Sequence, residues 1–244
     1  MAGRFADMPA EPTPRCAAIV VAAGAGIRMG TGMPKALMPV GGRALAAWCL
    51  DALAGSDRIG SVVVVAPGGH EAELAHALGL EVDKVVTGGS SRAESVGRGL
   101  SAVEPDTDLV LVHDAARPLI RPELIAAVIA AAVAADGAIA AAPLADTPKR
   151  VSDELIITAT PSRAGLWLAQ TPQVFWRAVL ERAFDRARAE ERLDAATDCA
   201  SMVEANGGRV VVVPSLWPNL KVTTPSDVRI AELLLADTAP GRVR

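Results

Sequence analysis

The sequence predicts an α/β fold, one mostly parallel twisted sheet with helices on both faces and a protruding β-hairpin arm, on three observations. Short β-branched runs alternate with amphipathic stretches through most of the 244 residues. The runs are continuously apolar, as in parallel strands covered on both faces, rather than alternating apolar and polar. One proline-flanked segment breaks the alternation and leaves the sheet as an excursion. Together these describe a single Rossmann-like domain, whose ligands sit beyond the carboxyl ends of the strands.

The expected strands are Ala18–Val21, Val62–Ala66, Lys84–Val86, Leu109–Val112, Ala138–Ala142 and Val210–Val213. Between them, Ala44–Leu53, Glu71–Leu78 and Ala93–Val103 carry amphipathic helical patterns. The most apolar stretch, Leu124–Ala145, is broken by Asp136-Gly137, so it reads as a helix and a buried strand rather than a membrane span. Pro143–Arg163 holds the short run Leu155–Thr160 between proline-containing turns and reads as the hairpin arm, at about 143–165. Thr224-Pro225-Ser226-Asp227 has the form of an N-cap, a proline at N1 and an acid at N3, and opens the last helix. Residues 1–14 are polar and proline-rich and read as a disordered lead-in without the apolar core of a signal peptide. The domain is expected over 15–238.

Apolar residues make up 51% of the chain, enough for a sizeable core. The formal charge is −4, there is no basic block, and tyrosine is absent. A nucleic-acid reader would carry a basic stripe interleaved with aromatics, so a small-molecule ligand is expected and neither nucleic acid nor membrane is. Cys16, Cys49 and Cys199 lie far apart without C-x-x-C spacing. That argues against disulfides and a zinc site and fits a reducing cytoplasm.

The first strand runs into Ala22-Ala23-Gly24-Ala25-Gly26-Ile27-Arg28-Met29-Gly30, where glycines let backbone N–H groups approach phosphate oxygens. A Walker loop would need Gly-Lys-Ser/Thr after the last glycine, and the sequence has Gly30-Thr31-Gly32. A dinucleotide fingerprint would need its third glycine at Met29 and an acid ending the second strand, where Ala66-Pro67 stands. A tight turn without any ligand remains the plain alternative. Met33-Pro34-Lys35 follows, and Lys35 is one of only 4 lysines against 20 arginines. Keeping a lysine there suggests that a compact ammonium is wanted.

These residues carry a resemblance. Ala22-Ala23-Gly24-x-Gly26-x-Arg28-Met29 followed by Pro34-Lys35 looks like the opening of the sugar-nucleotidyltransferases. More specifically, it resembles that of the 2-C-methyl-D-erythritol 4-phosphate cytidylyltransferases of non-mevalonate isoprenoid synthesis, and the match continues to Thr223-Thr224-Pro225. The resemblance implies transfer of CMP from CTP to a small sugar-alcohol phosphate, assistance by Mg²⁺, and a homodimer with exchanged arms. It implies that Ala22, Ala23, Gly24, Gly26, Gly89 and Ser95 bind the nucleotide and that Arg28, Lys35 and Lys221 are catalytic. Asp114, Arg117, Thr147, Arg163 and Thr197 are implied on the acceptor side, Thr147 and Arg163 reaching the partner's site from the arm.

Each of these also has a plainer reading. Asp114, directly past a strand, could pair with Arg117 or cap a helix; in the family it faces substrate hydroxyls or the magnesium environment. His113 reads as a packed histidine. Ser90 or Ser91 is expected to cap the helix that bears Ser95. Cys199 departs from the family, which usually has an acid there.

The acceptor, a phosphate monoester with a second pKa near ~6, is already largely a dianion at neutral pH and needs no strong base. Catalysis should then rest on positioning and charge neutralisation. The rival readings are a ribitol-5-phosphate cytidylyltransferase and a catalytically silent nucleotide-binding protein on the same fold.

Overall fold

The computed structural model describes residues 14–24, 33–79 and 84–238. Gly26, Arg28 and nearly all of the proposed lead-in lie outside them. The chain runs β1 (Cys16–Val21), the small hairpin β2 (Pro39–Val40) and β3 (Arg43–Ala44), α1 (Leu45–Ala54), β4 (Ile59–Ala66), α2 (Glu71–Leu78), β5 (Lys84–Thr87), α3 (Arg92–Ala102) and β6 (Leu109–Asp114). It continues with α4 (Pro122–Val133), β7 (Gly137–Pro143), β8 (Arg150–Val151), β9 (Ile157–Ala159), β10 (Trp167–Trp176), α5 (Arg177–Ala189), α6 (Cys199–Ala205), β11 (Val210–Pro214) and α7 (Pro225–Thr238).

Seven strands form the main sheet in the order β11-β7-β10-β6-β1-β4-β5. Every pairing is parallel except those of β10, which runs antiparallel between β6 and β7. All six expected strands are present, and β8 pairs with β9 as the hairpin of the arm. The sequence reading missed β10. Its ten residues include the polar run Gln170-Thr171-Pro172-Gln173, which hides the apolar signature, and the register with β7 shifts between Ala169 and Gln173.

Side chains of successive strand residues point to opposite faces, so each central strand feeds two cores. Ala18, Val20, Val62, Val64, Leu109 and Leu111 pack under α1, α2 and α4. Ala17, Ile19, Val63, Val65, Val110 and Val112 pack under α3, α5 and α6. A third, smaller core joins Met38, Val40 and Leu45 to Val222 and to Ala231 of α7. No described helix is long and apolar enough to cross a membrane.

The topology places a crevice at β1. From β1 the chain steps outward to β4 and β5, then returns to lay β6 on the other side of β1. Strand order reverses there, and loops leaving the carboxyl ends of β1 and β6 diverge to open a binding site.

Candidate active site

A cavity of about 530 Å³ opens at this crevice, within the usual size of small-ligand sites. Ala22, Ala23 and Gly24 reach it from the end of β1, Gly89 and Ser95 from the loop and helix after β5, and Asp114 from the end of β6. Lys35 and Lys221 also line it, so eight of the residues expected at the site converge.

The two loops are locked to each other. A Cβ on Gly88 would stand 2.3 Å from the Cβ of Ala23, so only glycine lets the second loop close against the first. Ser91 caps α3 by accepting from the Glu94 N–H at 3.1 Å, and Glu94 in return accepts from the Ser90 N–H at 2.7 Å. The Ser90 hydroxyl, its N–H and Arg98 hold the Glu94 carboxyl down at about 2. Ser95 is buried; its hydroxyl accepts from the Gly89 N–H at 3.0 Å and donates to the Ser91 carbonyl at 2.8 Å. Its visible work is to fix the loop backbone.

Both lysines are placed by the third core. Pro34 opens a short 3-10 turn over Lys35–Leu37, and Met38 and Val40 just downstream pack against Val222, the neighbour of Lys221. The Val222 N–H donates to the Ala116 carbonyl at 2.8 Å, tying the Lys221 segment to the loop after β6. Asn219 adds a second tie, donating to the Thr171 carbonyl at 2.8 Å and the Gln170 side chain at 3.0 Å.

Asp114 is the electrostatic centre. Its Oδ1 accepts from Arg92 at 2.9–3.0 Å and its Oδ2 from Lys221 at 2.7 Å. Burial alone would raise its pKa; Arg92 and then Lys221 outweigh burial and hold the carboxyl well below the usual range. The alternative of an Asp114–Arg117 pair is not what forms. Arg117 is buried and donates to the Asn219 carbonyl at 2.6 Å, while its Nε and the Asn219 Oδ1 have no hydrogen-bond partner. His113 is the packed histidine expected. Its ring faces the Thr171 hydroxyl and the Arg117 carbonyl, and burial pushes its pKa down to about 4.

Thr147, Arg163 and Thr197 are exposed and do not line this cavity. Arg163 donates instead to the Ala145 carbonyl within the arm. Arg92, which the sequence reading did not single out, also lines the cavity. A cation at the first position of a helix opposes the helix dipole, and that misfit was the available signal. As for a metal, no group of three or more His, Cys, Asp or Glu side chains is gathered among the described residues, and both oxygens of Asp114 already serve cations.

Comparison with known proteins decides the family. The family model described as 2-C-methyl-D-erythritol 4-phosphate cytidylyltransferase matches residues 16–237. The chain belongs to this family. A 2-C-methyl-D-erythritol 4-phosphate cytidylyltransferase of Streptomyces avermitilis is 45% identical over 93% of this chain and 94% of its own. The enzyme of that name from Prochlorococcus marinus is 43% identical over 89% and 97%. Among solved structures, 4-diphosphocytidyl-2C-methyl-D-erythritol synthase from Anaerococcus prevotii aligns with a TM-score of 0.80 at 28% identity, over 92% of this chain and 99% of its own. The cytidylyltransferase of Thermus thermophilus aligns at 0.74 with 32% identity, over 90% and 98%. The cytidylyltransferase family thus matches the chain from β1 into α7, including every residue described in the cavity.

Proposed function

We propose that the chain transfers CMP from CTP to 2-C-methyl-D-erythritol 4-phosphate, giving 4-diphosphocytidyl-2-C-methyl-D-erythritol and pyrophosphate. The observation that carries this is the cavity itself: Lys35, Lys221 and Arg92 line it with a single carboxylate, Asp114, which leaves an excess of positive charge at a strand-order switch point. Such a surplus suits a polyanionic triphosphate meeting a phosphate dianion.

In the reaction, an oxygen of the acceptor phosphate attacks the α-phosphorus, the bond from the α-phosphorus to the bridging oxygen breaks, and pyrophosphate leaves with that oxygen. The attacking oxygen carries no proton at neutral pH, so no residue is needed as base. Lys35 and Lys221 neutralise charge that builds on the α-phosphate, a role we extend to Arg28. Ala22, Ala23, Gly24 and Gly89 present backbone groups to the cytidine, a role we extend to Gly26. Asp114 does not offer a protein cradle for Mg²⁺, because both its oxygens are engaged. Mg²⁺ would be carried in by the triphosphate and would there supply charge neutralisation.

The arm fits a second copy of the chain. Leu155 and Ile156 are 80% and 64% exposed near its tip. Thr147 and Arg163, exposed and outside the cavity of their own chain, are proposed to hold the acceptor phosphate of the partner, with Arg117 and Thr197 on the acceptor side. An arginine fork suits a phosphate.

Two measurements test the proposal. Pyrophosphate release with 2-C-methyl-D-erythritol 4-phosphate should proceed with CTP and fall away with UTP or ATP; equal rates would remove the cytosine reading. Sedimentation should give a dimer, and a strict monomer would remove the shared site.

A further inference from the structure

We propose that Arg92 is a positioning residue for the transfer: by fixing one oxygen of Asp114 it aims the other, and with it the Lys221 ammonium, into the cavity. This rests on the reading of Lys221 as the group that neutralises the α-phosphate.

The three side chains come from separate parts of the chain. Arg92 is at the start of α3, Asp114 is the last residue of β6, and Lys221 lies in the segment between β11 and α7. Asp114 is bound on both oxygens, from Arg92 Nε and Nη2 on one side and Lys221 Nζ on the other. A carboxylate has rotational freedom about its last bond. With Oδ1 gripped by two guanidinium N–H groups of fixed planar geometry, that freedom is removed and the direction of Oδ2 is set.

Lysine, by contrast, is a flexible stem, and the Lys221 side chain is 40% exposed. It keeps a defined place only if something holds its ammonium. Asp114 holds it, and Arg92 holds Asp114.

Arg92 is poorly explained by helix stability. It occupies the first turn of α3, where the helix dipole disfavours a cation, and its own side chain is mostly buried. Burial by itself would lower its pKa, yet Asp114 raises it above the ordinary arginine value. The Cys199 thiol beside it is buried and pushed up to about 11, so it stays neutral and does not compete with Asp114 for the guanidinium. The charge of Arg92 is therefore directed to Asp114.

The test is a double-substitution cycle on the full chain, with CTP and 2-C-methyl-D-erythritol 4-phosphate as substrates. Misplacing a reacting group by about 1 Å can cost about 10²-fold in rate. Arg92→Met should lower kcat by about 10- to 100-fold, with KM for either substrate changed by less than about threefold. Arg92→Lys, which keeps the charge but not the fork, should lose less, and it serves if the methionine variant does not fold. In a Lys221→Met background, followed by single-turnover rates at high enzyme concentration, either change should cost less than about threefold more, because the group being aimed is gone.

Losses that multiply, or a change confined to KM, would overturn the positioning role and make Arg92 an independent substrate contact. A wild-type chain inactive with this substrate pair would instead overturn the functional reading, so the two failures are distinguishable.

Discussion

Asp114→Asn removes the one negative charge that two cations share while nearly preserving the shape of the side chain. At the observed separations of 2.7–2.9 Å, each pair is attracted by about 6 kcal/mol at an effective dielectric constant of about 20, before desolvation is subtracted. Breaking a buried pair typically costs about 3–5 kcal/mol. The side chains of Arg92 and Lys221 are 29% and 40% exposed, so water screens the orphaned cations and the loss should be about 2–3 kcal/mol. For a chain of this size that lowers Tm by about 4–12 °C.

The effect has a pH signature. The folded-state pKa of Asp114 is depressed, so its contribution is complete above the unfolded value of about 4 and is lost as pH falls toward the folded value. Urea unfolding followed by circular dichroism should give a constant wild-type advantage from pH 8 to pH 5. That advantage should then shrink by up to about 1.4 kcal/mol per pH unit below pH 4. A loss below about 0.5 kcal/mol at pH 7, or one that does not diminish in acid, would refute the ion-pair account.

Lys35→Ala should lower turnover by at least about 10²-fold in a steady-state pyrophosphate assay, with the melting temperature within a few degrees of wild type. Gly88→Ala would force its new Cβ to within 2.3 Å of the Ala23 Cβ, so the two loops must part. KM for CTP should rise by an order of magnitude or more, and unchanged nucleotide affinity would contradict the interlocked loops. Burial holds His113 at about 4, so its imidazole resonances should stay those of the neutral ring from pH 8 to pH 5. The neutral ring contributes stability above the unfolded value near 6.5 that is lost between there and about pH 4, and a midpoint near 6.5 in the folded protein would contradict its packing.

Much of the fold was legible because its signals are local. The runs Ala18–Val21, Val62–Ala66 and Leu109–Val112, which became β1, β4 and β6, are apolar at every position since both faces of the sheet are covered. The Thr224-Pro225-Ser226-Asp227 cap formed as read, with Asp227 accepting from the N–H groups of Thr223 and Thr224 at 2.8 and 2.7 Å. β10 was not legible, because a strand whose middle is Gln-Thr-Pro-Gln is recognised only by its neighbours β6 and β7. The site divides the same way. The glycine-rich first loop and the rarity of lysine at Lys35 are visible locally, and the family resemblance supplied Lys221, whereas the partners of Asp114 sit 22 and 107 residues away. Arg117, the nearer candidate, donates to the Asn219 carbonyl instead and does not line the cavity.

The most direct test of the account is pyrophosphate release by the wild-type chain with CTP and Mg²⁺, comparing 2-C-methyl-D-erythritol 4-phosphate with D-ribitol 5-phosphate at equal concentration. Release should be rapid with the methylerythritol phosphate and slight with the ribitol phosphate. Faster release with the ribitol phosphate, or none with either, would contradict it.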